Sequence, residues 1–177
     1  MKLIILDRDG VINQDRDDFV KSADEWIPIA GSMDAIAFLT EAGYTVAVAT
    51  NQSGIGRKYF TMQELTEMHN KMHRLAQQAG GVIDGIWFCP HTAADGCDCR
   101  KPLPGMVSDI LSRFNAEAAD TWLVGDSLRD LQAAVAVGAK PYLVLTGKGE
   151  TTRNDPALPE GTLIYPDLDA VAAELTA

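Results

Sequence analysis

Short, almost wholly apolar runs alternate along this chain with stretches whose apolar residues recur every three or four positions. The apolar runs at 2–6, 44–50, 85–89, 121–125 and 141–145 are rich in Val, Ile, Leu and Trp. They lack polar alternation, as expected of strands buried on both faces. Helical spacing predicts helices over 33–42, 61–79, 106–114 and 128–137, and a short one near 168–175. Thr61 with Glu64 three residues later is a capping-box signature, and Leu65, Met68, Met72, Leu75 and Ala79 form a helical core stripe behind it. The methionines in that stripe read as packing, not as a cofactor site. Strand and helix alternate throughout, which predicts an α/β fold, a doubly wound parallel sheet with right-handed crossovers. The stretch 147–161, rich in Gly, Thr, Pro and charge, reads as a surface loop. Most connections are one helix long, leaving no room for a large cap domain, and residues 1–177 are expected to form one domain.

The chain carries 25 acidic and 15 Lys and Arg residues, a formal net charge of −10. That argues against nucleic acid as a partner. An anionic substrate then needs local cations, and Arg57-Lys58 and Arg100-Lys101 are basic pairs in an otherwise acidic chain. No cationic-then-apolar targeting stretch and no apolar run of membrane-spanning length is present, so a cytoplasmic protein, monomeric and away from membranes, is expected.

Polar chemistry concentrates where the predicted strands end. The first run stops at Asp7-Arg8-Asp9-Gly10, the second at Thr50-Asn51-Gln52-Ser53-Gly54, and the fourth at Gly125-Asp126-Ser127 with Asp130 one turn on. Arg100-Lys101 lies just before the third helix. Open α/β sheets bind ligands outside the carboxyl ends of their strands. Singly, each piece has a bland reading: a solvated turn, a helix N-cap, a surface lysine. Together they supply carboxylates for Mg²⁺ and a lysine and hydroxyl for phosphate oxygens, which is the equipment for phosphoryl transfer to a carboxylate.

Asp7-Arg8-Asp9-Gly10, Thr50-Asn51, Lys101 and Gly125-Asp126-Ser127-x-x-Asp130 resemble the four motifs of the haloacid dehalogenase superfamily over nearly the whole chain. The resemblance implies that Asp7 is the nucleophile and Asp9 the acid that protonates the leaving oxygen and then activates water. It implies that Thr50 and Lys101 bind the transferring phosphoryl group. Asp7, the Asp9 backbone carbonyl and Asp126 would hold Mg²⁺, with Asp130 steadying Lys101 or a metal-bound water. Asp9 must hold a proton although an unperturbed Asp has a pKa of about 3.9; bound phosphate and a nearby carboxylate are expected to favour it.

The three cysteines, Cys89, Cys97 and Cys99, are odd in number and clustered, which disfavours a disulfide framework. With His91 they form C-x-H-x5-C-x-C, four N/S ligands suited to a closed, structural Zn²⁺ site in a loop over 89–99. That loop leads straight into Arg100-Lys101, so zinc is expected to hold both cations at the site. His69 and His73 stand four apart on the second helix with no glutamate between them and no third ligand, and read as a solvated face. The zinc loop, with Asn51-Gln52-Ser53-Gly54-Ile55, Arg57 and the 102–106 run, is similar to that of the heptose bisphosphate phosphatase branch, which serves synthesis of nucleotide-activated heptose for lipopolysaccharide. The histidinol phosphatase branch carries a similar loop and is the alternative; an inert phosphosugar- or zinc-binding module is the alternative of another class. The heptose branch implies a sugar bisphosphate substrate, with the stretch from Asp15 to Asp18 near sugar hydroxyls. Asn51, Gln52, Ser53, Arg57 and Ser127 are then substrate contacts, and Arg100 meets the non-reacting phosphate.

Overall fold

The computed structural model describes residues 1–177. Six strands, Lys2–Leu6 (β1), Tyr44–Asn51 (β2), Gly85–Cys89 (β3), Thr121–Gly125 (β4), Lys140–Val144 (β5) and Leu163–Tyr165 (β6), pair in parallel in the order β3-β2-β1-β4-β5-β6. Between them run the helices Ser32–Glu41 (α1), Ser53–Gly56 (α2), Met62–Ala79 (α3), Gly105–Phe114 (α4), Leu128–Val137 (α5), Gly149–Thr152 (α6) and Leu168–Thr176 (α7).

Side chains alternate across a strand, so β1 feeds two cores. Ile4 and Leu6 join a cluster with residues of α1, α3 and α7, and Leu3 and Ile5 join a second with residues of α4 and α5. All four are fully buried, which explains the uninterrupted apolar run. The strand order reverses at β1, between β2 and β4, and the crevice of a doubly wound sheet opens at such a switch point. The expected parallel sheet and its five main strands are present. Three elements escaped the sequence pattern: β6, α2 and α6. Each has three or four residues, too few to establish a period, and α6 lies within the stretch read as loop.

Candidate active site

β1 delivers two aspartates to the switch point. The Asp7 amide still donates to the Val124 carbonyl at 2.9 Å, so its side chain leaves from the last rung of the ladder. The backbone then turns at Gly10, with φ of 86°. A Cβ at Gly10 would collide with Asp126 Oδ2, and one at Gly147 (φ 58°) would press on the same oxygen. Both positions need glycine for conformation and for close approach. The Asp126 carboxylate is held in that notch by the Lys148 amide, which donates to Oδ2 at 2.9 Å, and by the Ser127 hydroxyl, which donates to Oδ1 at 3.2 Å.

Lys101 reaches the same floor. Its Nζ donates to Asp7 Oδ1 at 3.1 Å and to the Ala49 carbonyl at 2.7 Å. Asp130 Oδ1 forms an ion pair with the same Nζ at 2.6 Å. Asp130 also closes a capping box on α5, its Oδ2 accepting from the Ser127 amide at 3.2 Å. Burial works to lower the Lys101 pKa, but Asp130 and Asp7 outweigh it and the pKa is raised. Burial raises the Asp7 pKa well above the ordinary range, with Asp130 and Asp126 adding repulsion and Lys101 opposing. The Asp126 pKa is pushed up to about 6 by burial and then by Asp130.

Asp7, Asp126 and Asp130 are buried with ligand oxygens within 4.8 Å of one another, against one buried ammonium. Such an excess of crowded oxygen donors fits a hard divalent cation. Asp9 behaves differently. Burial acts to raise its pKa, yet the Arg8 charge and hydrogen bonds from Asn13, Arg8 and Gln52 lower it overall. The expectation that a neighbouring carboxylate favours its proton therefore fails for the protein alone: an arginine is the dominant neighbour.

Around this floor opens a cavity of about 250 Å³ lined by 17 residues, of which Phe19 is the one hydrophobic. Asp7, Asp9, Asp15, Thr50, Asn51, Gln52, Ser53, Arg57, Arg100, Lys101, Asp126 and Ser127 all line it. Gln52 is tied inward, donating to Thr50 Oγ1 at 2.8 Å and Asp9 Oδ2 at 3.2 Å. Asn51 spends its amide on the loop carrying the lysine: its Nδ2 donates to the Lys101 carbonyl at 3.1 Å, and the Lys101 amide donates to its Oδ1 at 3.0 Å. Asp18 does not line the cavity. It is exposed and engaged by Arg16 and Lys21, which hold its pKa well below the usual carboxylate range.

Arg16 and Asp17 line the cavity within the 15–18 stretch expected near the sugar, and Phe19, Arg129 and Lys148 line it although the sequence did not single them out. Arg129 was within view, one residue before Asp130 in the fourth motif. Burial, and then the charges of Arg129 and Arg57, lower the Arg100 pKa, the mark of a cation cluster suited to a polyanion. His69 corrects the sequence reading. It is buried, because Leu65, Met68, His69, Met72 and Ala76 form the inward stripe of α3, while His73 is exposed.

At the end of β3, the ligand atoms of Cys89, His91, Cys97 and Cys99 lie within 4.8 Å of one another. Cys89 Sγ to Cys97 Sγ is 3.7 Å, and His91 Nδ1 is 3.6 Å from Cys89 Sγ and 3.4 Å from Cys99 Sγ. The edges of a Zn²⁺ tetrahedron with such ligands are about 3.5–3.8 Å. The Cys89 and Cys99 sulfurs stand at disulfide distance instead. A disulfide leaves Cys97 free, whereas one tetrahedral ion employs all four groups.

A doubly wound sheet whose first strand ends in paired aspartates, facing a buried lysine and the aspartate after β4, defines a phosphatase-type site of the haloacid dehalogenase class. The Hydrolase_like family model, described as HAD-hydrolase-like, matches residues 98–171. The D-glycero-beta-D-manno-heptose-1,7-bisphosphate 7-phosphatase of Neisseria meningitidis serogroup A is 75% identical over 95% of this chain and 91% of its own. That of Bordetella bronchiseptica is 58% identical over 99% and 98%. A crystal structure of the B. bronchiseptica D,D-heptose 1,7-bisphosphate phosphatase, complexed with magnesium and phosphate, superposes with a TM-score of 0.97 at 58% identity over 99% of this chain and 98% of that one. The chain belongs to the D-glycero-β-D-manno-heptose-1,7-bisphosphate 7-phosphatase family.

Proposed function

We propose that this protein removes the 7-phosphate of D-glycero-β-D-manno-heptose 1,7-bisphosphate, within the synthesis of nucleotide-activated heptose for lipopolysaccharide. One observation carries the reading: buried Asp7, Asp126 and Lys101 meet on the floor of a cavity that also presents Arg57, Arg100 and Arg129. A substrate with two phosphates, one at the floor and one among the arginines, matches that distribution of charge. We also read residues 1–177 as one domain, working in the cytoplasm, where thiol ligands stay reduced. No helix is long and apolar enough to cross a membrane.

Asp7, Asp126 and the Asp9 backbone carbonyl would hold Mg²⁺, which supplies positive charge to the phosphoryl oxygens. Lys101 adds its own charge to those oxygens, and the Thr50 hydroxyl donates to one of them. A carboxylate oxygen of Asp7 attacks phosphorus in line; the bond from phosphorus to the sugar oxygen breaks, and Asp9 gives that oxygen a proton. The product at this stage is an aspartyl-phosphate and free heptose 1-phosphate. Asp9 then takes a proton from water as it attacks the acyl phosphate, releasing inorganic phosphate and restoring Asp7. Cys89, His91, Cys97 and Cys99 would bind a structural Zn²⁺ that fixes the loop entering Arg100-Lys101; the donor set and the three edges near tetrahedral values support this.

The test assays phosphate release with Mg²⁺ from the β and α heptose 1,7-bisphosphates and from histidinol phosphate. Heptose 1-phosphate, formed fastest from the β anomer, is the expected result. A much higher kcat/KM on histidinol phosphate overturns the assignment, and no release from any sugar phosphate favours an inert binding module.

A further inference from the structure

Arg8 and His69 are buried charged or titratable groups that the mechanism above leaves without a task. Arg8 is fully buried, and neither residue lines the cavity. A buried guanidinium is costly unless its donors are satisfied. Arg8 Nε and Nη2 both donate to Asp9 Oδ1, at 2.9 and 2.8 Å. Asn13 Nδ2 donates to the same oxygen at 2.9 Å. Three donors thus converge on Oδ1, while Oδ2 meets only Gln52 Nε2, at 3.2 Å. The third arm, Arg8 Nη1, turns away to His69 Nε2 at 3.2 Å, with Met68 Sδ at 3.9 Å. Guanidinium has no acceptor, so the His69 nitrogen must accept, and the ring is the neutral Nδ1–H tautomer. Burial, and then the Arg8 charge, hold the His69 pKa at about 3, which keeps it in that form. The ring is lodged against Phe88, with centroids 6.3 Å apart.

We propose that Arg8 and His69 are positioning residues for Asp9: His69, anchored in α3, fixes the Arg8 fork, and the fork immobilises Oδ1 so that Oδ2 alone is presented to the leaving oxygen. The inference rests on the reading of Asp9 as acid and base. Neither side chain touches substrate. Both act through the aim of one carboxyl group, so their loss falls on proton transfer to the leaving oxygen and again on the hydrolysis in which Asp9 is the base.

The experiment compares single-turnover rates of leaving-group release, before the shared hydrolysis in which Asp9 is the base, for the heptose bisphosphate and for 4-nitrophenyl phosphate, whose phenolate departs without a proton. In Asp9→Asn, a larger loss on the bisphosphate than on the aryl ester supports Asp9 as the acid; equal losses remove that reading and this inference with it. Given that result, His69→Leu is expected to lower the release rate from the bisphosphate about tenfold or more, with KM and the release rate from the aryl ester changed less than about twofold. His69→Gln, whose amide oxygen accepts from Arg8, should recover most of the lost release rate. Arg8→Lys keeps the charge and removes the fork; it should show the same split, and decides the matter alone if His69→Leu does not fold. Equal losses on both substrates, or no loss on either, while Asp9→Asn still discriminates between them, would overturn the positioning role and leave Asp9 as the acid.

Discussion

At the scale of single residues, the site is a contest between burial and charge. Three carboxylates share one ammonium, and two of them, Asp7 and Asp126, have raised pKa values. Removing Lys101 leaves buried carboxylates without a cation, so Lys101→Met is expected to cost about 3–5 kcal/mol in metal-free protein, read by denaturant unfolding, besides abolishing turnover. Asp7→Asn removes a crowded charge; it should reduce kcat at least about a thousandfold without lowering the metal-free Tm. For Asp126 the folded pKa of about 6 lies above the unfolded value near 3.8, so the native state binds more protons than the unfolded chain between them. Its contribution to stability is present at low pH and is lost as pH rises from about 4 to 6. Mg²⁺ needs the ionised form, so its affinity should weaken at least about tenfold per pH unit below pH 6, with protonation of Asp7 steepening the fall, measured by calorimetric titration. A flat affinity from pH 5 to 7 would remove Asp126 from the ligand set. Sequence legibility also divides at this scale. Asp7, Lys101 and Asp126 could be recognised because their types and order form a motif. His69, Phe19 and Lys148 could not, because their roles arise from where distant elements bring them.

At the scale of elements, the main strands and helices were legible because each is long enough to show a period, and β6, α2 and α6 were not because none is. The 89–105 stretch has no period either, yet the spacing of its cysteines and histidine pointed to the cluster that the structure brings together. What sequence did not show is how that stretch is fastened. Asn51, at the end of β2, pairs with both backbone groups of Lys101, joining strand end to loop end at the ammonium's own residue. Loss of two part-buried hydrogen bonds costs about 1–3 kcal/mol. Asn51→Ala should therefore lower stability by that amount and kcat by about tenfold or more, since Lys101 would lose its aim. The proposed zinc site would fasten the other end of the segment. Metal analysis should find one zinc per chain, and the Cys97→Ser, Cys99→Ser variant, in protein that remains folded, should lose turnover. Undiminished activity in that variant would separate the loop from the chemistry.

At the scale of the whole molecule, a chain of net charge −10 must admit a tetra-anionic bisphosphate. Repulsion by the acidic surface acts over roughly a Debye length, about 8 Å at physiological salt. Arg16, Arg57, Arg100, Lys101, Arg129 and Lys148 line the cavity beside Asp7, Asp9, Asp15, Asp17 and Asp126, so its lining is nearly balanced in charge where the chain as a whole is acidic. Two outcomes follow from that arrangement. If the cations govern capture, kcat/KM for the bisphosphate falls as NaCl is raised, and falls more steeply than for a heptose 7-monophosphate, whose charge is smaller. If the global charge governs, screening helps the anion in and kcat/KM rises. The floor of the site treats the reacting phosphate alike in both substrates, so the difference between them isolates the arginines. Each charge-assisted hydrogen bond to the second phosphate is worth about 1.5–3 kcal/mol. The double variant Arg57→Gln, Arg100→Gln should therefore cut the preference for bisphosphate over monophosphate about a hundredfold or more, mainly through KM. Monophosphate turnover should stay near that of the parent protein. An equal loss on both substrates would place the arginines at the reacting phosphate, and the second phosphate would have to be held elsewhere in the cavity.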